Sequence, residues 1–303
     1  MADKISVIIP TLNEPTLVRA LAALSAQTRK ADEIIVIGKY AEENCARFPE
    51  VRYIDTGFPV WPSAARNQGI REASGDILAF TDSDCIPSID WLQRLEEAHA
   101  KGVPVVGGGV LLGGANYLAQ SDNISMFHEF LTTRNCGNRP YIPTLNLSIR
   151  RVVIETVGGM DETLRTAEDM DWSIRMRRAG FALFFAPSAQ VAHAPDRTRW
   201  ADVVRHWQVT GFNSIRVRIR YSQEFYTPRI ALHPIFFRLL SPIIALHVTI
   251  KIFLSPASWR YLLGFPIVYA TKVIYCLAAA RALENPMTFS TSSDFPSFSQ
   301  WPR

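Results

Sequence analysis

The stretch "LAFTDSDCIP", residues 78 to 87, runs strand-forming residues straight into two aspartates one residue apart. Asp82 and Asp84 repel each other at that spacing and carry two charges out of an apolar run. A hard divalent cation, Mg²⁺ or Mn²⁺, offsets such repulsion, since these ions take one or two carboxylates and leave other positions to substrate phosphates. The alternative for the same residues is a solvated turn, which aspartate favours through bonds to its own backbone. A second acidic group stands in "TAEDMDWSIRMRRAG", residues 166 to 180. Thr166 and Asp169 have the spacing of a capping box, Asp171 reads as a first-turn acid matched to the helix dipole, and Gly180 closes the helix. His193, in "VAHAP", is a lone histidine, a type that serves in structure as well as in ligation.

The elements that must position these residues follow from apolar periodicity. "ISVIIP" (5 to 10), "EIIVI" (33 to 37), "VRYI" (51 to 54) and "ILAF" (77 to 80) are short apolar runs of the kind buried in parallel sheets. Between them, Glu14-Pro15 opens a helix with Leu17, Leu21 and Leu24 on one stripe, and "SAARNQGIREA" (63 to 73) is a second helix ended at Gly75. This βαβ rhythm predicts an α/β domain with a mostly parallel sheet, in which ligands sit at the carboxyl ends of strands. Asp82 and Asp84 lie at such an end. Farther on, "PVVGGGVLLGG" (104 to 114) lacks the order of a dinucleotide-binding loop and reads as a bulged strand. Trp172 and Met176, four apart on one helix, have the spacing of a core stripe.

The chain of 303 residues is 48% hydrophobic and 20% charged, enough to bury one large domain or a domain with an appendage. The net charge is +4, and "PDRTRW…VRHW…SIRVRIRY" from Pro195 onward gathers basic residues beside an apolar region. That neighbourhood fits anionic lipid headgroups better than nucleic acid, which is excluded as a partner. Met1 to Lys4 leads directly into a strand with no signal peptide, and the four cysteines make neither a CxxC pair nor a zinc spacing, as expected of reduced thiols in the cytoplasm.

From Arg229 the composition turns apolar, interrupted by Pro234, Pro242, Lys251, Pro266 and Lys272. Only residues 261 to 280 approach the roughly 20 residues a bilayer crossing needs, and Lys272 near their centre costs about 2.5–3.5 kcal/mol there. Helices lying on or dipping into one leaflet are therefore expected for 229–281. The expected organisation is a catalytic domain over 1–225, a membrane-associating helical region over 226–285 and a polar flexible tail over 286–303.

Three segments carry a resemblance. "VIIPTLNE" (7 to 14), "PSAARNQGIREASGDILAFTDSDCIP" (62 to 87) and "AEDMDWSIRMRRAGF" (167 to 181) resemble, in order and spacing, the motifs of the family 2 glycosyltransferases, inverting enzymes of GT-A fold that use nucleotide sugars. The likeness runs over roughly residues 4 to 195. It implies that Pro10, Thr11, Asn13 and Glu14 border the nucleobase and ribose, and that Arg66 and Asn67 approach the ribose and diphosphate. Asp82 and Ser83 would face the ribose or sugar, and Asp84 would hold the metal bridging the diphosphate, with His193 as a further ligand. Asp169 would be the general base with Glu168 beside it, while Asn146 and Trp172 would lie on the acceptor side.

What the resemblance implies overall is a metal-dependent transfer from a nucleotide sugar to a glycan or lipid-linked acceptor, in cell-surface polysaccharide or glycolipid synthesis at the inner face of the membrane. The sequence departs from the family where acidic residues commonly follow the second strand: Gly38 and Lys39 stand there, which leaves uridine only as the default base. Leu145 replaces a common glycine, and no Gln-x-x-Arg-Trp appears, which favours single transfer over processive synthesis. Two rivals stand beside this reading. A haloacid-dehalogenase phosphatase would use Asp82 as a nucleophile but leaves "PTLNE" and "AEDMDW" unexplained; a non-catalytic nucleotide-sugar binding module would have no use for Asp169. With an ordinary carboxylate pKa, Asp169 would be a weak base, contributing the typical 10²–10⁴-fold (an order-of-magnitude figure) of a positioned one.

Overall fold

The computed structural model describes residues 3–12, 14–194, 197–225 and 233–284. Asn13, the 226–232 connection and the tail from 285 lie outside the described residues. Strand β1 (Ile5–Leu12) is buried at every position but its last. It is flanked in parallel by β2 (Glu33–Lys39) and β4 (Ile77–Thr81), and β3 (Val51–Asp55) extends this parallel group beyond β2. The expected four strands are all present. Past β4 the sheet becomes mixed: β8 (Asn146–Arg150) runs antiparallel between β4 and β6 (Val105–Leu112), and β6 pairs in parallel with β9 (Leu183–His193). The order is β3-β2-β1-β4-β8-β6-β9-β5, where β5 is Cys85–Pro87, with β7 (Gly137–Asn138) on β9.

Helices cover both faces. On one, Leu17, Leu21 and Leu24 of α1 (Leu17–Ser25) and Trp91, Leu92 and Leu95 of α4 (Trp91–Ala100) pack in a core with Val7 and Ile9. On the other lie α3 (Pro62–Glu72), α6 (Arg151–Val157) and α7 (Glu168–Arg178), with Ile8, Phe80, Trp172 and Met176 in contact. Gly69 lets α3 sit directly on the sheet, because a Cβ there would stand 2.5 Å from Ile8 Cγ2. The β6 glycines do mark a bulge, at Gly108/Gly109.

After Asp84 the chain changes partner. Cys85–Pro87 forms β5, which pairs antiparallel with the end of β9 so that Cys85 faces His193. The strand tip carrying the two aspartates is thereby brought against the last residue of a strand formed far later in the chain.

The apolar region forms two long helices, α9 (Pro234–Leu254) and α10 (Phe265–Glu284), joined by a 3₁₀ helix (Pro256–Gly264). Both stretches, 234–254 and 256–284, are long and apolar enough to cross a membrane. The sequence reading allowed this only for 261–280; Pro242 is carried inside α9 without ending it. Helix α10 packs on α5 (Tyr117–Phe127), on α8 (Trp200–Arg220) and on α9. At Gly211 of α8 an added Cβ would stand 2.3 Å from the Tyr275 carbonyl, so the two backbones touch there. Lys272 does not face outward: its Nζ donates to the Ser125 carbonyl at 2.9 Å, so the insertion cost reckoned for a lipid-facing lysine does not apply.

Candidate active site

A cleft of about 880 Å³ opens at the carboxyl ends of β4 and β9, lined on one side by Arg66, Asp82, Asp84 and His193 and on another by Glu168 and Asp169. Arg66 organises the first side. Its side chain is 4% exposed, Nη2 donates to Asp82 Oδ1 at 2.6 Å and Nη1 to Glu168 Oε1 at 3.0 Å. Asp82 is compensated by the Arg66 guanidinium through Oδ1, whereas the ion-pair neighbour of Asp84 is His193.

Asp84 Oδ2 stands 3.3 Å from His193 Nε2. The tautomer of that histidine follows from its neighbour. Asn123 Nδ2 donates to the Gly113 and His193 carbonyls, so its Oδ1 is the acceptor that faces His193 Nδ1 at 2.7 Å. With Nδ1–H given to Asn123, the Nε2 lone pair and a carboxylate oxygen converge, and a proton or a metal cation must lie between them. A backing hydrogen bond of this kind is what orients ligating histidines. Asp84, Cys85 and His193 offer ligand atoms within 4.8 Å of one another. Burial keeps the Cys85 thiol well above its usual pKa and hence protonated, which leaves an oxygen and an imidazole nitrogen, a donor set that fits Mn²⁺ or Mg²⁺ better than a thiophilic ion. Burial works against the Asp84 charge, but His193 and Arg197 outweigh it and bring its pKa to about 2.

Asp169 occupies the first turn of α7. The expected capping box is absent: the helix starts after Ala167, whose backbone is left-handed at φ 65°, and Thr166 turns its hydroxyl to the Val209 carbonyl. Asp169 Oδ1 instead accepts from the Met170 amide at 2.7 Å. Burial raises its pKa to about 6, with Asp82 adding to the rise and the Met170 amide and Arg66 opposing it. An ordinary carboxylate pKa was expected; desolvation makes this a stronger base. Burial, then the Asp169 charge, push Glu168 up to about 7 against the pull of Arg66.

Several expected site residues lie elsewhere. Asn146 is fully buried, accepts from Trp91 Nε1 and donates to the Gly109 and Ala189 carbonyls, so it fills the β6–β9 bulge behind the cleft wall. Trp172 is also fully buried, edge-on to Phe80, with its Nε1 bonded to the Gly158 carbonyl: it fastens α7 to the sheet, as its helical spacing foretold. Asn67 exchanges bonds with both backbone groups of Met160 and with Glu162, so both N–H groups of its amide are engaged within the protein. Asp171 is no simple dipole acid; buried, it binds Arg175, Arg220 and the Tyr221 hydroxyl and ties α7 to α8.

Pro10 and Thr11 lie just before the last residue of β1, and the Thr11 hydroxyl is a buried group without a partner. Thr16 bonds both Glu14 and the Ser83 carbonyl, so the Glu14 and Ser83 loops are held together at this corner. Gly38 comes so close to β1 that a Cβ would stand 1.8 Å from the Thr11 carbonyl oxygen, and Lys39 pairs with Asp55 at the end of β3. Residues missed in the sequence include Asn123 and Arg197. Neither belongs to a motif, and only the fold brings α5 behind His193.

The Glycosyl transferase family 2 profile matches residues 6–158, just over half of the chain. The chain belongs to this family. It is 31% identical over 194 residues to glycosyltransferase AglE of Haloferax volcanii, covering 60% of this chain and 64% of that one. It is also 31% identical over 174 residues to the pre-mycofactocin glycosyltransferase of Mycobacterium tuberculosis, covering 54% and 36%. The matched segment therefore spans less than two thirds of either relative. Among solved structures, the mannosyltransferase PcManGT of Pyrobaculum calidifontis, in complex with GDP-Man and Mn²⁺, superposes with a TM-score of 0.62 at 17% identity, over 93% of this chain and 88% of that one. GalNAc-T7 with UDP, GalNAc and Mn²⁺ gives 0.56 at 18% identity, over 72% and 48%. The fold of the family 2 chain described here is thus GT-A, a mixed α/β sheet between helices with two apolar helices at its C-terminal end.

Proposed function

We propose that the protein is an inverting, metal-dependent glycosyltransferase. It moves a sugar from a nucleoside-diphosphate sugar, UDP-sugars first, to a hydroxyl of a glycan or lipid-linked acceptor, in cell-surface polysaccharide or glycolipid synthesis at the inner face of the membrane. The observation that carries this reading is the division of one cleft between Asp84 with His193 and Asp169 with its raised pKa. Mn²⁺ or Mg²⁺, held by Asp84 and His193, would supply charge neutralisation for the departing diphosphate. The Mn²⁺ in both solved relatives supports this assignment.

Asp169 takes the proton of the acceptor hydroxyl as its oxygen bonds to the anomeric carbon. The anomeric carbon–oxygen bond to the diphosphate breaks on the opposite face, and its electron pair leaves with the nucleotide. Arg66 positions Asp82 toward the ribose or sugar and fixes Glu168 beside the base. Pro10, Thr11, Asn13, Glu14 and Ser83 border the nucleotide, and the exposed apolar face of α9 rests on the leaflet.

A thermal-shift panel of UDP-, GDP- and dTDP-sugars with and without Mn²⁺ tests the reading. A cognate donor at 100 times its Kd stabilises by about 2.7 kcal/mol, and only with the metal present. If none of the donors raises the melting temperature with Mn²⁺, the reading fails.

A further inference from the structure

The carboxyl ends of the parallel strands form one row, β4-β1-β2-β3, which stops at β4 because β8 beyond it runs antiparallel. Ligands of such sheets lie outside the carboxyl ends of the strands. With the diphosphate at Asp84 and the sugar turned toward Asp169, the tips of β1, β2 and β3 are left to the nucleoside. Neighbouring strands are about 4.8 Å apart, so the tips of β2 and β3 stand about 10–14 Å from that of β4, within reach of an extended nucleotide. The cleft extends to Pro62, at the start of the helix that follows β3.

A charged pair stands at these tips. Lys39 is the last residue of β2 and Asp55 the last of β3. Lys39 Nζ lies 2.8 Å from Asp55 Oδ2 and 3.1 Å from Oδ1, and the Gly57 amide donates to Oδ1 at 2.7 Å. These bonds, Lys39 first and Gly57 next, hold the Asp55 carboxyl below the usual carboxylate range, so it is ionised and only accepts. Ile35 and Ile37 pack against Ala65 of α3, and alternation along β2 puts Lys39 on that same face, the side of the sheet from which Arg66 enters the cleft. Tyr40 follows, 61% exposed, with its ring centroid 5.6 Å from Lys39 Nζ. Its backbone is left-handed at φ 63°, a strained state for a bulky residue and one that collects at ligand sites. An exposed aromatic ring at such a place is a stacking surface for a flat heterocycle.

An ammonium beside a carboxylate presents a donor, an acceptor and a second acceptor in line. Guanine carries the complement on one edge: O6 accepts, while N1–H and N2–H donate. Uracil presents O4, N3–H and O2, so its O2 would meet the second carboxylate oxygen with no proton between them. Adenine and cytosine place an amino donor where Lys39 also donates. Of the four lone-pair sites of the carboxylate, Gly57 takes one on Oδ1 and Lys39 one on Oδ2, which leaves one on each oxygen for the base.

We propose that Lys39 and Asp55 read the base of the donor, with Tyr40 stacked on it, and that this base is guanine. The assignment rests on the glycosyltransferase reading and narrows its donor, placing guanosine ahead of the default uridine.

Calorimetric titration of the full chain with GDP, inosine diphosphate and UDP, each with Mn²⁺, tests this. GDP binds about tenfold or more tightly than UDP, the discrimination that a bidentate base contact gives. Inosine diphosphate, whose base lacks only the 2-amino group, binds about threefold or more weakly than GDP through the loss of one hydrogen bond to a charged group. Asp55→Asn keeps an oxygen for the Gly57 amide but turns an amino group toward the donors of guanine. It lowers GDP affinity about tenfold or more and abolishes the preference over UDP. UDP binding as tightly as GDP in the wild type overturns the base assignment, as does unaltered GDP affinity in Asp55→Asn or equal binding of GDP and inosine diphosphate. The inosine comparison uses the wild type, so it decides even if the variant does not fold. Failure to bind any of the three nucleotides with Mn²⁺ overturns the transferase reading itself, whereas binding in the wrong order overturns the guanine assignment alone.

Discussion

Arg66 Nη1 stands 3.0 Å from Glu168 Oε1, so α3 is tied to the first turn of α7, which carries Asp169. The arginine is 4% exposed and compensates two acids, which makes it irreplaceable by an apolar group: Glu168 would remain buried, and Asp82 half-buried, without that partner. Arg66→Met should lower stability by about 3–5 kcal/mol in urea unfolding. Arg66→Lys should recover only part of this, because an ammonium cannot reach both carboxylates with a planar fork. A loss below about 1 kcal/mol for the methionine variant would show that the two ion pairs are not the hinge of the site.

Asp169→Asn keeps the shape of the side chain and removes the base. Transfer should fall by about 10²–10⁴-fold while nucleotide-sugar binding persists. In the wild type, kcat/KM should rise with pH through about 6 and then level, since the base must be ionised and burial has raised its pKa. A limb centred near the unperturbed aspartate value of about 3.9 would contradict the burial account. Loss of donor binding together with activity would remove Asp169 from the role of base.

The same shift has a consequence for stability, with the opposite sign from most carboxylates. A folded-state pKa above the unfolded one favours the folded state below about 4, and that contribution is lost as pH rises through about 6. The asparagine variant lacks the proton to lose. Its stability relative to wild type should grow between pH 4 and 7 and stay level above, as read from melting temperatures in matched buffers; a difference independent of pH would be the contrary result.

The parts of this protein legible in the sequence are those encoded locally. β1, β2, β3 and β4 are apolar runs that read as strands, and the aspartates fall at a strand end because "ILAF" stops at Thr81. The bulge at Gly108 was legible because only glycine tolerates Asn146 so near. The failures have one cause, which is that a side chain's partner lies far along the chain. Asn67 and Asn146 look like ligand contacts by motif, but their amides are occupied by Met160 and by Gly109 and Ala189. Thr166 has cap spacing, yet the left-handed Ala167 moves the helix start past it. Lys272 looked costly in an apolar run, and only the packing of α10 on α5 shows that it faces a cleft.

Metal binding should depend on more than Asp84 and His193. Asn123 fixes the His193 tautomer through Nδ1, so Asn123→Leu should weaken Mn²⁺ binding by about 10–100-fold, the usual effect of removing a group that orients a ligand. Asp84→Ala should abolish the Mn²⁺-dependent stabilisation by nucleotide outright. Chelation of the wild type should produce the same loss, restored by added Mn²⁺. Full donor affinity in a chelated sample would refute the role of this corner.

The outward face of α9 and the following 3₁₀ helix present Leu239, Ile243, Leu254 and Leu263, each 65–85% exposed. No aspartate or glutamate occurs between residues 233 and 283, whereas Lys251, Arg260 and Arg281 do. An apolar face with cations and no acids suits an anionic leaflet, where each basic residue adds about 1 kcal/mol near the surface. Deleting the helices is a poor test, because α10 covers α5 and α8 and its loss would expose their core. Serine at Leu239, Ile243 and Leu263 together leaves that packing intact. With about 1.5–3 kcal/mol per inserted side chain, the variant should lose at least roughly a hundredfold in sedimentation with anionic vesicles. Its Mn²⁺-dependent nucleotide affinity should not change, since none of the three residues lines the cleft. Undiminished sedimentation would mean that this face does not meet the membrane.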